Sequence, residues 1–140
     1  MSDKSILIVD DNEGDRYLLK RDIKKTEFSG HVFESENGKE ALDFLTDFEK
    51  NKAEYKEKFP PTIIFLDINM PLIDGFEFLE KFSEIKKQSN DFDSIFIMMF
   101  SSSENQRDIE KANSYGFVKK YLIKGNYEIE ELKDTLNNYI

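Results

Sequence analysis

Cysteine is absent from this 140-residue chain, histidine occurs once, proline three times, and long apolar runs are missing. Without cysteine there are no disulfides and no thiolate metal sites, a usage that suits the cytoplasm. The single histidine, His31, leaves zinc short of its usual ligands, and it reads as a partly exposed strand residue. The longest apolar run, Ile95–Phe100, has six residues, against the ~20 that span a bilayer. No apolar region precedes the first strand, so no secretory signal is expected. Positive charge is also scarce: 20 Lys and Arg against 29 Asp and Glu give −9, which argues against nucleic acid as a partner. No internal repeat or low-complexity tract is present.

The remaining composition, 39% apolar and 35% charged, fits one globular domain over 1–140. The thirteen phenylalanines mostly fall at core positions of helices or strands and read as packing. Apolar runs alternate with segments of helical period, the βαβ pattern of a parallel sheet. Strands are predicted near 5–9, 30–34, 62–66, 94–100 and 120–123, and the near-continuous apolar character of three of them implies burial on both faces. Five helices fill the gaps. The first spans about Gly14 to Thr26, the second carries Ala41, Leu45 and Phe48, the third Phe78, Phe82 and Ile85, and the last Ile129, Leu132, Leu136 and Tyr139. Asn37 to Glu40, Asp74 to Glu77 and Ser103 to Gln106 have capping-box spacing. The charged stretch Thr46 to Phe59, with Glu54 and Lys58 spaced i, i+4, predicts a solvated extension of the second helix that Pro60-Pro61 stops. The expected fold is a flavodoxin-like doubly wound α/β sheet of order 2-1-3-4-5, with its switch point between strands one and three.

Four polar signals follow apolar runs: Asp10-Asp11, Asp67, Ser101 and Lys124. In a parallel sheet all four emerge at the carboxyl edge, where open α/β sheets bind ligands. Each alone is ordinary, since most Asp-Asp pairs are exposed turns and Ser102 or Ser103 serve as helix caps. Their joint occurrence at one sheet edge is what signifies. Two like charges ~4 Å apart repel by about 4 kcal/mol at an effective dielectric of 20. Asp10, Asp11 and Asp67 therefore call for a hard divalent cation, and Mg²⁺ suits best because it takes one or two carboxylates and shares phosphate oxygens. A carboxylate beside such an ion can attack phosphorus, and Asp67, alone at its strand end, is the best nucleophile. Lys124 would neutralise the transferring group, and the Ser101 hydroxyl could donate to the phosphate.

At these residues the chain resembles the receiver domain of two-component response regulators. The resemblance covers nearly all of the chain and rests on Ile-Leu-Ile-Val-Asp10-Asp11-Asn, Ile-Ile-Phe-Leu-Asp67-Ile-Asn69-Met70-Pro71 with Asp74-Gly75, Met99-Phe100-Ser101-Ser102, and Tyr121-Leu122-Ile123-Lys124. It implies Asp67 as phosphoacceptor, Asp10 and Asp11 as the acidic pair holding Mg²⁺, and the backbone carbonyl of Asn69 as a further metal ligand. By the same resemblance Ser101 tracks the phosphoryl group, Lys124 pairs with it, and Tyr121 is the aromatic switch residue. The implied donor is a sensor histidine kinase or a histidine phosphotransfer protein, and the implied output face comprises the fourth helix, fifth strand and fifth helix. No separate output domain is expected, because the last helix ends at Ile140, and the longer segment 46–61 points to stand-alone regulators. Gly125 departs from the proline that usually follows the lysine with a cis peptide. A cis non-proline bond costs ~2.5–4 kcal/mol, so a trans bond or reshaped loop is expected.

The chain is thus expected to be a cytoplasmic signalling receiver that contributes to its own phosphorylation and dephosphorylation rather than an enzyme with turnover. One alternative is an aspartyl-nucleophile phosphohydrolase, such as the haloacid-dehalogenase-like enzymes. Asp67-Ile68-Asn69 lacks their second acid. Others are a phosphorylation-independent interaction module, against which the complete Asp/Asp/Asp/Ser/Lys set speaks, and a flavin-binding flavodoxin, for which no phosphate loop follows strand one.

Overall fold

The structure, a computed structural model, describes residues 4–140. Five parallel strands, β1 (Ser5–Val9), β2 (His31–Ser35), β3 (Ile63–Leu66), β4 (Phe96–Ser101) and β5 (Val118–Ile123), form one sheet in the order β2-β1-β3-β4-β5. This is the expected flavodoxin-like order. The register pairs Ile6 with Val32 on one side and with Ile63 on the other, so β1 and β3 run side by side. β1 and β3 are buried along their whole lengths, which is why they lack the alternation of a one-faced strand.

Alternate strand residues feed two cores. On one face Ile6, Ile8, Ile63, Phe65, Met98 and Phe100 pack against α1 (Glu13–Lys25) and α6 (Ile129–Tyr139) through Leu19, Ile23, Leu132 and Leu136. On the other, Leu7, Val9, Ile64, Leu66, Ile97 and Met99 meet α2 (Gly38–Thr46), α4 (Gly75–Gln88) and α5 (Gln106–Asn113). His31 is exposed, with its ring edge-on to Phe33, as expected.

The extension of the second helix is corrected. The chain breaks at Asp47 (φ −81°, ψ 54°), and a separate helix, α3 (Phe48–Tyr55), follows, then a 3₁₀ turn over Lys56–Lys58. Helices among the described residues therefore number six rather than five, and the expected fourth and fifth are α5 and α6. The break has a packing cause. It turns Phe48 onto Phe59 and Phe92, lets Tyr55 reach Phe33, and buries Asn51, whose side chain donates to the Phe44 carbonyl at 2.6 Å. No ion pair joins Glu54 and Lys58 among the described residues; Lys56, at φ 56°, ends the helix before that pair can form.

Two caps also differ. Asp74 and Glu77 make the full reciprocal capping box that starts α4. Asn37 caps α2, but Glu40 reaches back to the Glu36 N–H rather than to Asn37. Ser103 does not cap α5. Asn105, directly before the helix, accepts from the Arg107 N–H instead, and Ser103 donates to the Asp108 carboxylate at 2.6 Å.

Candidate functional site

β1 and β3 end side by side, and the Asp67 N–H bonds to the Val9 carbonyl at 3.0 Å, carrying the pairing one residue past the strands. Asp10 and Asp67 are thereby set as neighbours at the switch point. A ligand oxygen from each of Asp10, Asp11 and Asp67 lies within 4.8 Å of the others; Asp10 and Asp67 are buried and Asp11 is exposed.

Asp10 is held from every side but one. Its N–H donates to the Ser35 carbonyl at 3.1 Å and its carbonyl accepts from Arg16 Nη1 at 2.6 Å. Its Oδ1 accepts from the Asn12 N–H at 2.9 Å. Oδ2 has no hydrogen-bond donor in proper alignment, although Lys124 Nζ lies 2.8 Å away as an ion pair. Three carboxylates gathered this closely, two of them buried, carry more negative charge than the Lys124 ammonium balances, and as a donor set they fit a hard divalent cation with oxygen ligands.

Asp67 is equally fixed. Oδ1 accepts from the Ile68 N–H at 2.8 Å, and Oδ2 faces Lys124 Nζ at 3.2 Å. Gly75 lets α4 press directly on this segment: a Cβ there would stand 2.3 Å from the Asp67 carbonyl oxygen and 2.7 Å from Ile68 Cα. Burial, and then the neighbouring Asp10 charge, push the Asp67 carboxyl up to about 6, more than Lys124 can offset. Burial alone would lower Lys124, but the carboxylates of Asp10 and Asp15 beside its ammonium, and the charge of Asp67, hold it well above its ordinary value.

Ser101 closes β4 and is fully buried; its Oγ accepts from the Ser103 N–H at 3.1 Å. Tyr121, half-buried on β5, donates through Oη to the Ser103 carbonyl at 2.9 Å, tying the β4–α5 loop to the fifth strand. Asn69 lies in the β3–α4 loop with its side chain exposed, while Met70 turns into the core. The cis peptide among the described residues is Phe59–Pro60, so Lys124–Gly125 is trans, and Gly125 turns the chain at φ +74°. Three residues escaped the sequence reading. Asn12 caps α1 by accepting from the Asp15 N–H at 2.8 Å, Arg16 grips Asp10, and Asp15 Oδ2 lies 2.9 Å from Lys124 Nζ. The spacing of Asn12 from Asp15 was the one signal that could have disclosed the cap.

Known proteins resemble this chain in sequence and in fold. The chemotaxis protein CheY of Halobacterium salinarum is 34% identical over 117 residues, 84% of this chain and 84% of its own length. The receiver domain of the histidine kinase CKI1 from Arabidopsis thaliana, solved in complex with Mg²⁺, superposes with a TM-score of 0.75 at 25% identity, covering 96% of this chain and 90% of that one. The phosphorylated cyanobacterial phytochrome response regulator RcpA superposes with a TM-score of 0.69 at 27% identity, covering 96% and 89%. No helix among the described residues is long and apolar enough to cross a membrane. With residues 6–137 matching the response regulator receiver domain model, the chain belongs to that family, the phosphoacceptor switches of two-component signalling.

Proposed function

We propose that Asp67 is the phosphoacceptor and that the donor is a phosphohistidine on a sensor histidine kinase or a histidine phosphotransfer protein. An Asp67 carboxylate oxygen attacks phosphorus, the P–N bond breaks, and the imidazole leaves with a proton from solvent. The observation that carries this reading is the placement of Asp67: buried, beside Asp10 and Asp11, and 3.2 Å from an ammonium that can follow the incoming charge. Asp10, Asp11, Asp67 and the Asn69 carbonyl would hold Mg²⁺, which supplies charge neutralisation for the phosphoryl oxygens. Lys124 pairs with one phosphoryl oxygen and the Ser101 hydroxyl donates to another. The domain thus lends its own groups to gaining and losing the phosphoryl group, as a cytoplasmic switch rather than an enzyme with turnover.

Output follows from the same contacts. Drawing Ser101 towards the phosphoryl group moves the loop that Tyr121 holds at Ser103, so the face of α5, β5 and α6 changes with the charge on Asp67. The acceptor is tested by phosphorylating the protein with acetyl phosphate and Mg²⁺, reducing it with borohydride, and mapping the peptides. Homoserine at position 67 is expected; homoserine elsewhere, or none, would overturn the assignment.

A further inference from the structure

Lys124 approaches three carboxylates, and two of them belong to the reacting centre. Asp10 and Asp67 are members of the acidic cluster, with Lys124 Nζ at 2.8 and 3.2 Å. Asp15 lies outside that cluster, yet its Oδ2 accepts from Nζ at 2.9 Å across 109 residues of sequence. An acid in the first turn of a helix ordinarily complements the helix dipole. Here the carboxylate reaches across to the residue that follows β5 instead.

The lysine needs such a partner. Its backbone is fixed by the bond from its N–H to the Ser101 carbonyl at 2.9 Å, but the next residue, Gly125, sits at φ +74° with nothing within 4 Å of where a Cβ would be. Its flexible four-carbon stem carries the ammonium past the Phe100 ring, whose centroid is 5.8 Å from Nζ. Neither neighbour orients the ammonium strongly. Once a cation and a phosphoryl group engage Asp10 and Asp67, Asp15 is the carboxylate left to orient it. Asp15 is itself well placed: the Asn12 cap holds its N–H, and the adjacent Arg16 is bonded to the Asp10 carbonyl and to Glu34. The pair is half screened from solvent: the Lys124 side chain is 15% exposed and that of Asp15 36%.

We infer that Asp15 is a positioning residue that holds the Lys124 ammonium over Asp67 from the first turn of α1. This rests on the proposed role of Asp67, and the test separates the two. The Lys124 ammonium is followed in ¹H–¹⁵N spectra of the unphosphorylated protein, with Lys124→Gln to assign its signal, and the initial rate of labelling by acetyl phosphate is measured at saturating Mg²⁺. Asp15→Ala should shift or broaden the ammonium signal and slow labelling by about tenfold, the scale of one charge-assisted hydrogen bond. Asp15→Asn, which keeps the cap and a neutral acceptor, should fall between, and Asp15→Glu should recover part of the rate. An unmoved ammonium signal in Asp15→Ala overturns the inference, whether or not labelling slows, and so does an unchanged or faster rate. If labelling of the parent protein survives Asp67→Asn, the acceptor assignment fails, while the ammonium signal still judges Asp15.

Discussion

Replacing Asp67 by Asn should stabilise the metal-free protein above pH 6 and leave it little changed near pH 4. The cause is the cost of ionising a carboxyl that is buried beside Asp10: its ordinary value of 3.8 is pushed up to about 6 in the folded state. The native protein therefore binds the proton more tightly than the unfolded chain. The resulting stability is fully present below about 3.8 and is lost as the pH rises through about 6. At about 1.36 kcal/mol per tenfold difference in proton affinity, the gap amounts to about 3 kcal/mol, a large fraction of the stability of a small domain. Urea unfolding of both proteins from pH 4 to 8, without divalent cation, measures it. The difference should grow from near zero at pH 4 to about 3 kcal/mol at pH 7.5 in favour of the Asp67→Asn variant. Mg²⁺ should then stabilise the parent and not the variant. A difference that is flat with pH, or that favours the parent at neutral pH, would refute the claim that Asp67 is ionised at a cost.

Gly75→Ala should cost about 1–3 kcal/mol in thermal or urea unfolding, because its methyl would meet the Asp67 carbonyl at 2.3 Å; an unchanged midpoint would mean α4 can retreat freely. Tyr121→Phe removes the bond to the Ser103 carbonyl and should shrink the beryllofluoride-induced NMR shifts along α5, β5 and α6, while shifts around Asp67 persist. Full-sized shifts on that face would exclude Tyr121 from the relay. Asn69 is exposed and two residues beyond Asp67; if its amide orients the hydrolytic water, Asn69→Met or Asn69→Arg should prolong the phosphorylated state in a decay assay. Unchanged or faster decay in both would leave Asn69 with only its backbone role.

What could be read along the chain and what could not divide on a physical line. β1, β3 and β4 are buried on both faces, so their residues 6–9, 63–66 and 97–100 are apolar without interruption and easily seen. Asp10, Asp67, Ser101 and Lys124 stand where those runs and β5 end, and a parallel sheet brings strand ends together whatever the loops do. The Asp47 break was hidden because its cause is tertiary: Phe48, Phe59 and Phe92 meet only after folding, while locally the charges favour a continuous helix. The cap of α5 was misplaced because Ser103 and Asn105 both suit the role, and the Ser103 hydroxyl is spent on Asp108. Nothing in the local sequence of α1 singles out Asp15 or Arg16. Their partners, Lys124 and the Asp10 carbonyl, are supplied by the residue that follows β5 and by a main chain that composition does not reveal.

Intact-mass measurement after incubation with acetyl phosphate tests the proposed chemistry most directly. With Mg²⁺ the protein should gain the mass of one phosphoryl group. A chelator should prevent the gain, Asp67→Asn should abolish it, and Asp11→Ala should nearly do so. Labelling that survives Asp67→Asn, or that is indifferent to the chelator, would contradict the account.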